Sequence, residues 1–185
     1  EQTPQAEVAA GFGALMAAGT VRELGVSNFS AARLASLNAA ADAAGQPRFT
    51  VLQNEYNLVC REAFGPDLVA LCAAQGIAHF PWFGLAAGFL TGKYRSREDL
   101  KAHDRGSSVA RFFDRGLAIL PALDAVAAET GAQQASVALA WLLAQPGITA
   151  PIASASRPEQ LDAQFAALDL RLDEDQLHRL TQAGT

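Results

Sequence analysis

The sequence predicts an α/β fold built on parallel β-strands. Short runs rich in β-branched and aromatic residues alternate with longer stretches of helical periodicity, which is typical of βα units on a parallel sheet. Polar residues follow the predicted strands, and glycines end several of the predicted helices. The chain has 185 residues, of which half are apolar, and four such units. This predicts one domain over residues 1–185 with a single substantial core.

Capping residues define the ends of the first predicted elements. A helix over about residues 4–18 ends at Gly19, a residue that favours the left-handed conformation of a C-cap, and a strand follows over 21–26. Ser30 is a preferred N-cap residue, so it predicts the start of the next helix. That helix precedes a second strand over 49–53.

The rest of the chain continues this pattern around one long irregular stretch. Residues 83–114 show little periodicity and are long for a connection, which favours a lid or a cofactor loop. The other predicted elements are helices over 68–75, 114–130, 132–144, 157–166 and 173–183, and strands over 77–82 and 149–153.

Four parallel strands with helical crossovers are compatible with half of a (β/α)8 barrel or with a small open doubly wound sheet. The sequence has no Gly-x-Gly-x-x-Gly after a strand, and its polar residues gather at strand ends, which favours the barrel. Half a barrel leaves two sheet edges unpaired and one apolar face uncovered. The barrel therefore requires a covering partner, either a missing N-terminal half or a second copy.

Composition argues against several classes of function. The net charge is −5, and no block of Lys and Arg is interleaved with aromatics, so nucleic-acid binding is not expected. No run approaches the roughly 18 apolar residues of a membrane span, and no basic, hydrophobic leader is seen, so a cytoplasmic protein without membrane contact is expected. Cys60, Cys72 and three dispersed histidines lack metal-ligand spacing, which predicts free thiols and no metal site. The alanine-rich composition suggests a bacterial source.

Polar and aromatic side chains stand at the ends of the predicted strands. They are Ser27, Asn28, Gln53, Trp82, Ser154 and Ser156. In a barrel they point into one mouth, where amides and hydroxyls suit a carboxamide and the indole offers a flat apolar face to a ring. The alternative is that the amides cap helices or satisfy loop backbone.

Five segments, in this order, resemble stretches of the aldo-keto reductase family. They are GVSNFS at 25–30, QNEYN at 53–57, LAAGFLTGKY at 85–94, VALAW at 137–141 and PIASASRPEQL at 151–161. The likeness runs nearly end to end and is greatest to the branch that includes the potassium-channel β subunits and many bacterial reductases. The resemblance implies a (β/α)8 TIM barrel, of which this chain covers about the last four βα units.

The resemblance also implies a site for NADPH, with NADH as the alternative. Ser27, Asn28 and Gln53 match positions that hydrogen-bond the nicotinamide carboxamide, and Trp82 matches the aromatic that stacks on the ring. The other matched positions are Phe83, Gly84, Leu85, Ala87 and Gly88 around the pyrophosphate, Lys93 at a phosphate, and Ser154, Ser156, Arg157, Gln160 and Gln164 at the adenosine end.

Two sites depart from the family pattern. Phe83 and Gly84 stand where Ser-Pro is usual, which removes a hydroxyl from the pyrophosphate loop, and Ala163-Gln164 replaces a Glu-Asn pair at the adenine. The family's catalytic Tyr, Lys, Asp and His belong to the other half of the barrel, so no catalytic residue is assigned. His79 and Trp141 are instead expected to be packing residues.

The function implied is NADPH-dependent reduction of an aldehyde or ketone to an alcohol by the parent protein. The 185-residue chain alone is expected to be inactive. Two alternatives come from other classes. One is a nicotinamide-binding half-barrel that dimerises and acts as a redox sensor; the other is an interaction domain whose cofactor site has decayed.

Overall fold

Three short parallel strands form the sheet in the computed structural model, which describes residues 3–102 and 106–184. They are β1 (Gly25–Ser27), β2 (Val51–Gln53) and β3 (Ala78–His79), hydrogen-bonded in the order β1-β2-β3. The α/β class and the parallel pairing are therefore confirmed. The first strand is shorter than predicted, because only its last residues pair with β2.

Helices alternate with these strands and then continue beyond them. They are α1 (Gln5–Ala17), α2 (Ala31–Ala43), α3 (Pro66–Gln75), α4 (Arg97–Ala102), α5 (Gly106–Leu117), α6 (Leu120–Thr130), α7 (Gln134–Leu143), α8 (Glu159–Asp169) and α9 (Glu174–Ala183). Two 3-10 segments, Glu62–Phe64 and Ala86–Thr91, lie in the connections. In the part of the chain that is described, no helix is long and apolar enough to cross a membrane.

The predicted helix ends are confirmed where a capping residue marks them. Gly19 and Gly76 take left-handed conformations, with φ of +69° and +64°, at the ends of α1 and α3. The backbone N–H of Arg33 donates to Ser30 Oγ at 3.3 Å, which caps α2.

The predicted irregular stretch over residues 83–114 is wrong for most of its length. α4 and the first part of α5 are helical, and the 3-10 segment Ala86–Thr91 is interrupted at Ala87 and Gly88, whose φ is positive. Apolar residues of α5 recur with helical spacing at Val109, Phe112 and Phe113, and all three are buried. Several apolar side chains of this stretch, among them Phe89, Leu90 and Phe112, therefore belong to the core. Residues 103–105 of the predicted stretch lie outside the described residues.

Two further predicted elements are also corrected. The single helix over 114–130 is divided between α5 and α6, because Pro121 starts a new helix in its first turn. The predicted strand over 149–153 makes no continuous ladder. Thr149 N donates to His79 O at 2.9 Å and Ile152 N donates to Pro81 O at 2.8 Å, but Pro151 between them has no N–H.

The two faces of the sheet have different surroundings. Leu52 and His79 are buried under α2 and α3, whereas Gly25 and Ser27 on the alternate face are exposed. One face of the sheet is thus covered by helices and the other is open.

The expected packing residues are confirmed as such. Trp141 is fully buried, and Tyr56 stacks on it with a centroid distance of 5.9 Å. His79 is fully buried with its ring centroid 3.8 Å from that of Phe64, and its Nε2 accepts from Asn54 N at 3.4 Å. Burial lowers the pKa of His79 to about 4.

Neutral His79 makes the stability of the fold depend on pH. Its folded-state pKa of about 4 lies below the ordinary value of 6.5, so its contribution is complete above pH 6.5 and is lost as pH falls from 6.5 towards 4. We expect the free energy of unfolding to fall by up to about 1.4 kcal/mol per pH unit in that window. His79→Gln keeps an acceptor for Asn54 N and does not titrate, so its urea-unfolding curve is expected to vary less between pH 7 and 5. Parallel curves for the two proteins would contradict this account.

Candidate functional site

The carboxyl ends of the three strands bring four of the predicted site residues together. Ser27 Oγ donates to Gln53 O at 2.8 Å, Asn28 N donates to the same carbonyl at 3.2 Å, and Trp82 Nε1 donates to Asn28 Oδ1 at 3.3 Å. An indole N–H is only a donor, so the Asn28 atom facing it is the oxygen. The amide hydrogens of Asn28 Nδ2 therefore point away from the indole, where they can donate to another group.

An ion pair and an aromatic cluster surround Trp82. The Phe83 ring lies edge-on to it at 4.8 Å, and the Arg111 guanidinium lies 4.2 Å from the centroid of Phe112 and 5.4 Å from that of Phe83. Arg111 donates to both carboxylate oxygens of Glu55, at 3.1 and 2.7 Å. This cluster escaped the sequence prediction, because its arginine belongs to a helix taken for irregular chain. The helical spacing of 109, 112 and 113 was the signal available.

The predicted pyrophosphate loop has an unusual backbone. Phe83, Ala86 and Ala87 have φ of +56°, +48° and +57°, and Gly88 has φ of +103°. Residues with a Cβ adopt this region at a cost of roughly 1–2 kcal/mol, and such strain clusters at ligand sites. Gly84 is buried here, and a Cβ on it would lie 3.0 Å from Leu142 Cδ2.

The predicted adenosine-end residues meet at the start of α8. Ser156 donates through its N and Oγ to Gln160 Oε1 at 2.8 and 3.2 Å, and Gln164 Nε2 donates to Ser154 O at 3.1 Å. Arg157 is exposed beside them. The two glutamines thus hold the loop that leads into the helix.

The remaining predicted residues are less closely connected. Lys93 is exposed, with Nζ 5.1 Å from the ring of its neighbour Tyr94, and Leu85 is half-buried. Cys60 and Cys72 are free thiols, and burial raises the pKa of both. Within residues 3–102 and 106–184, no group of three or more His, Cys, Asp or Glu side chains is placed to hold a metal ion.

Comparison with known proteins identifies the family. The model of the aldo/keto reductase family matches residues 1–185, so the chain belongs to that family. It is 31% identical to the aryl-alcohol dehydrogenase [NADP(+)] of Phanerodontia chrysosporium, over 94% of this chain and 46% of that protein. It is 28% identical to the L-glyceraldehyde 3-phosphate reductase of Escherichia coli O157:H7, over 98% of this chain and 55% of that protein.

The fold is likewise similar to that of a solved relative. A crystal structure of the thermostable aldo-keto reductase Tm1743 with the inhibitor epalrestat superposes with a TM-score of 0.74 at 23% identity, over 99% of this chain and 56% of that one. The chain spans about half the length of the curated relatives it matches.

The left-handed loop generates a prediction about stability. Ala87→Gly relieves a strained conformation, which stabilises the fold, and removes one buried methyl group, which destabilises it. We therefore expect the free energy of unfolding to rise, or to fall by less than about 0.5 kcal/mol. The same change at exposed Ala39, inside α2, is expected to lower it by about 1 kcal/mol. Urea unfolding of both variants measures the difference, and equal losses would show that Ala87 carries no strain.

Proposed function

We propose that this chain is the nicotinamide-binding part of an oxidoreductase that reduces an aldehyde or ketone with NADPH. One observation carries the proposal: Ser27, Asn28, Gln53 and Trp82, from three strands, meet at the carboxyl edge of a parallel sheet. This edge is where α/β enzymes bind ligands. The donors and acceptors suit a carboxamide, and the half-buried indole suits a nicotinamide ring.

The chemistry is divided between the cofactor and this chain. Ser27, Asn28, Gln53 and Trp82 would hold the nicotinamide, which when bound would supply hydride to the carbonyl carbon. The hydrogens of Asn28 Nδ2, which point away from the indole, would donate to the carboxamide oxygen. Ser27 Oγ donates its own hydrogen to Gln53 O, so its lone pairs would accept from the carboxamide NH₂. Trp82 would set which face of the ring meets the substrate. The proton donor for the carbonyl oxygen is expected outside this chain.

NADPH is the form proposed, with NADH as the alternative that a titration distinguishes. The aryl-alcohol dehydrogenase named above carries NADP(+) in its name. In this chain the exposed Arg157, next to the start of α8, provides a cation where the 2′-phosphate is expected. The left-handed loop over Phe83 to Gly88 is the expected pyrophosphate contact, with Lys93 near it.

We further propose that the single domain over residues 1–185 is about the last four βα units of a (β/α)8 barrel. The open face of the sheet supports this, and so do apolar residues exposed on two helices. Phe12 and Leu15 are exposed on α1, and Leu161, Phe165 and Leu168 on α8, where the last two are 62% and 54% exposed. Four preceding βα units would cover that face and pack against both helices.

The binding proposal is tested on the complete polypeptide that the native gene encodes. Asn28→Gly keeps the left-handed backbone and removes the amide, so we expect the Kd for NADPH to rise about three- to tenfold, as for loss of one hydrogen bond. Titration of nicotinamide fluorescence with NADPH and NADH measures this. Ser36→Ala, on the exposed side of α2, serves as the control and should leave the Kd unchanged. If neither nucleotide binds the unsubstituted protein, the proposal is wrong.

The barrel proposal is tested by mass. A (β/α)8 barrel needs roughly 250 residues, so the native polypeptide is expected to have an intact mass well above the 19.4 kDa of these 185 residues. A mass of 19.4 kDa would contradict a barrel formed within one chain. In that case sedimentation tests the dimeric half-barrel of the redox-sensor alternative. Nucleotide titration followed by Trp82 fluorescence then separates the sensor from an interaction domain with a decayed cofactor site.

A further inference from the structure

Two fully buried asparagines hold the backbone beside the site without facing it. Asn54 is 2% exposed, and its side chain contacts both polar groups of Phe29, the residue after Asn28. Asn54 Oδ1 accepts from Phe29 N at 3.2 Å, and Nδ2 donates to Phe29 O at 2.9 Å and to Ala63 O at 2.7 Å. A buried amide with all its groups paired fixes its partners, because any displacement leaves a polar group unsatisfied.

The backbone of Asn54 extends the same network to β3. Its carbonyl accepts from Trp82 N at 3.2 Å, and its N–H donates to His79 Nε2 at 3.4 Å. One residue therefore joins the chain that follows β1 to the chain that follows β3. The side chains of Asn28 and Trp82 meet, and Asn54 fixes the separation of the backbones that carry them.

Asn57 performs the same task for the residue after Trp82. It is fully buried, its Oδ1 accepts from Val59 N and Cys60 N at 2.9 Å each, and its Nδ2 donates to Phe83 O at 3.0 Å. Phe83 has the left-handed φ of +56° that turns the chain from the strand end into the loop. The Asn57 amide thus fixes a strained peptide next to the indole.

We propose that Asn54 and Asn57 are positioning residues, which set the geometry of Asn28 and Trp82 through the backbones of Phe29 and Phe83. This inference rests on the proposed nicotinamide site. The physical reason is that a misplacement of about 1 Å in a group that orients a ligand has large effects, although the asparagines themselves touch no ligand. The role is distinct from that of Ser27, Asn28 and Gln53, which face the ligand.

The chain provides a matched control in Asn38. It is also 2% exposed and makes the same set of contacts with one phenylalanine: Oδ1 accepts from Phe49 N at 2.9 Å, and Nδ2 donates to Phe49 O at 3.2 Å and to Gln75 Oε1 at 3.1 Å. Phe49 precedes β2, at the opposite end of the sheet from the site. A purely structural role predicts the same behaviour for Asn38 and Asn54.

The experiment compares Asn54→Ala with Asn38→Ala in the complete polypeptide. Both changes leave buried backbone groups unpaired, so both are expected to lower Tm by similar amounts. Only Asn54→Ala is expected to raise the Kd for NADPH, by tenfold or more, whereas Asn38→Ala should stay within twofold of the unsubstituted protein. Equal effects of the two changes on Kd would overturn the inference.

A second readout needs no nucleotide. The ¹⁵N–¹H resonance of the Trp82 indole reports its hydrogen bond to Asn28 Oδ1. We expect it to shift in Asn54→Ala and to remain in place in Asn38→Ala, and an unmoved resonance in both would overturn the inference. If the unsubstituted protein binds no nucleotide, the proposed function fails, and this resonance alone decides the positioning role.

Asn57→Ser is the second variant should Asn54→Ala fail to fold. Its hydroxyl can still accept from the nearby Val59 N and Cys60 N in a Ser turn, but the shorter side chain cannot donate to Phe83 O. The expected result is a Kd for NADPH raised about three- to tenfold and a shifted Trp82 indole resonance. An unchanged Kd together with an unchanged resonance would remove Asn57 from the proposal.

Discussion

The pairing register of the parallel strands β1 and β2 fixes the positions of the polar groups at the carboxyl edge of the sheet. Because Ser27 lies opposite Gln53, the Ser27 hydroxyl and the Asn28 N–H both reach the Gln53 carbonyl. A slip of one residue would turn these side chains to the covered face of the sheet. The residue after β2, Asn54, then contacts Phe29 and the chain after β3, so one pairing register determines both the hydrogen bonds among Ser27, Asn28 and Gln53 and the position of the buried Asn54 amide.

The strained loop begins directly after Trp82, at the carboxyl edge of the sheet. Elsewhere the core is formed by buried apolar side chains, as around Trp141 and Leu123. At the carboxyl edge of the sheet, residues with a Cβ adopt left-handed conformations, and Arg111, which is paired with the largely buried Glu55, lies over aromatic rings. Strained backbone of this kind clusters at functional sites.

Local signals in the sequence predicted local structure well. Gly19, Gly76 and Ser30 marked helix ends correctly, because a left-handed glycine and a side-chain cap act within one turn of chain. The two main errors were made although local signals were present. The strand over 149–153 has backbone contacts with the β3 edge but no ladder, because Pro151 interrupts it, and α5 was taken for irregular chain although its apolar spacing was visible. Among the site residues, chain order at the strand ends was enough to group Ser27 with Trp82.

The alternation of strands and helices, the family resemblance and the residue types at the strand ends can be read from the sequence, since they follow from periodicity and from motifs a few residues long. The orientation of the polar groups depends on how the chain packs. The direction of the Asn28 amide depends on an indole 54 residues away, and the roles of Asn54 and Asn57 depend on carbonyls 25 and 26 residues away. Hydrogen bonds between distant segments have no local signature in a sequence, because they exist only after the strands have paired.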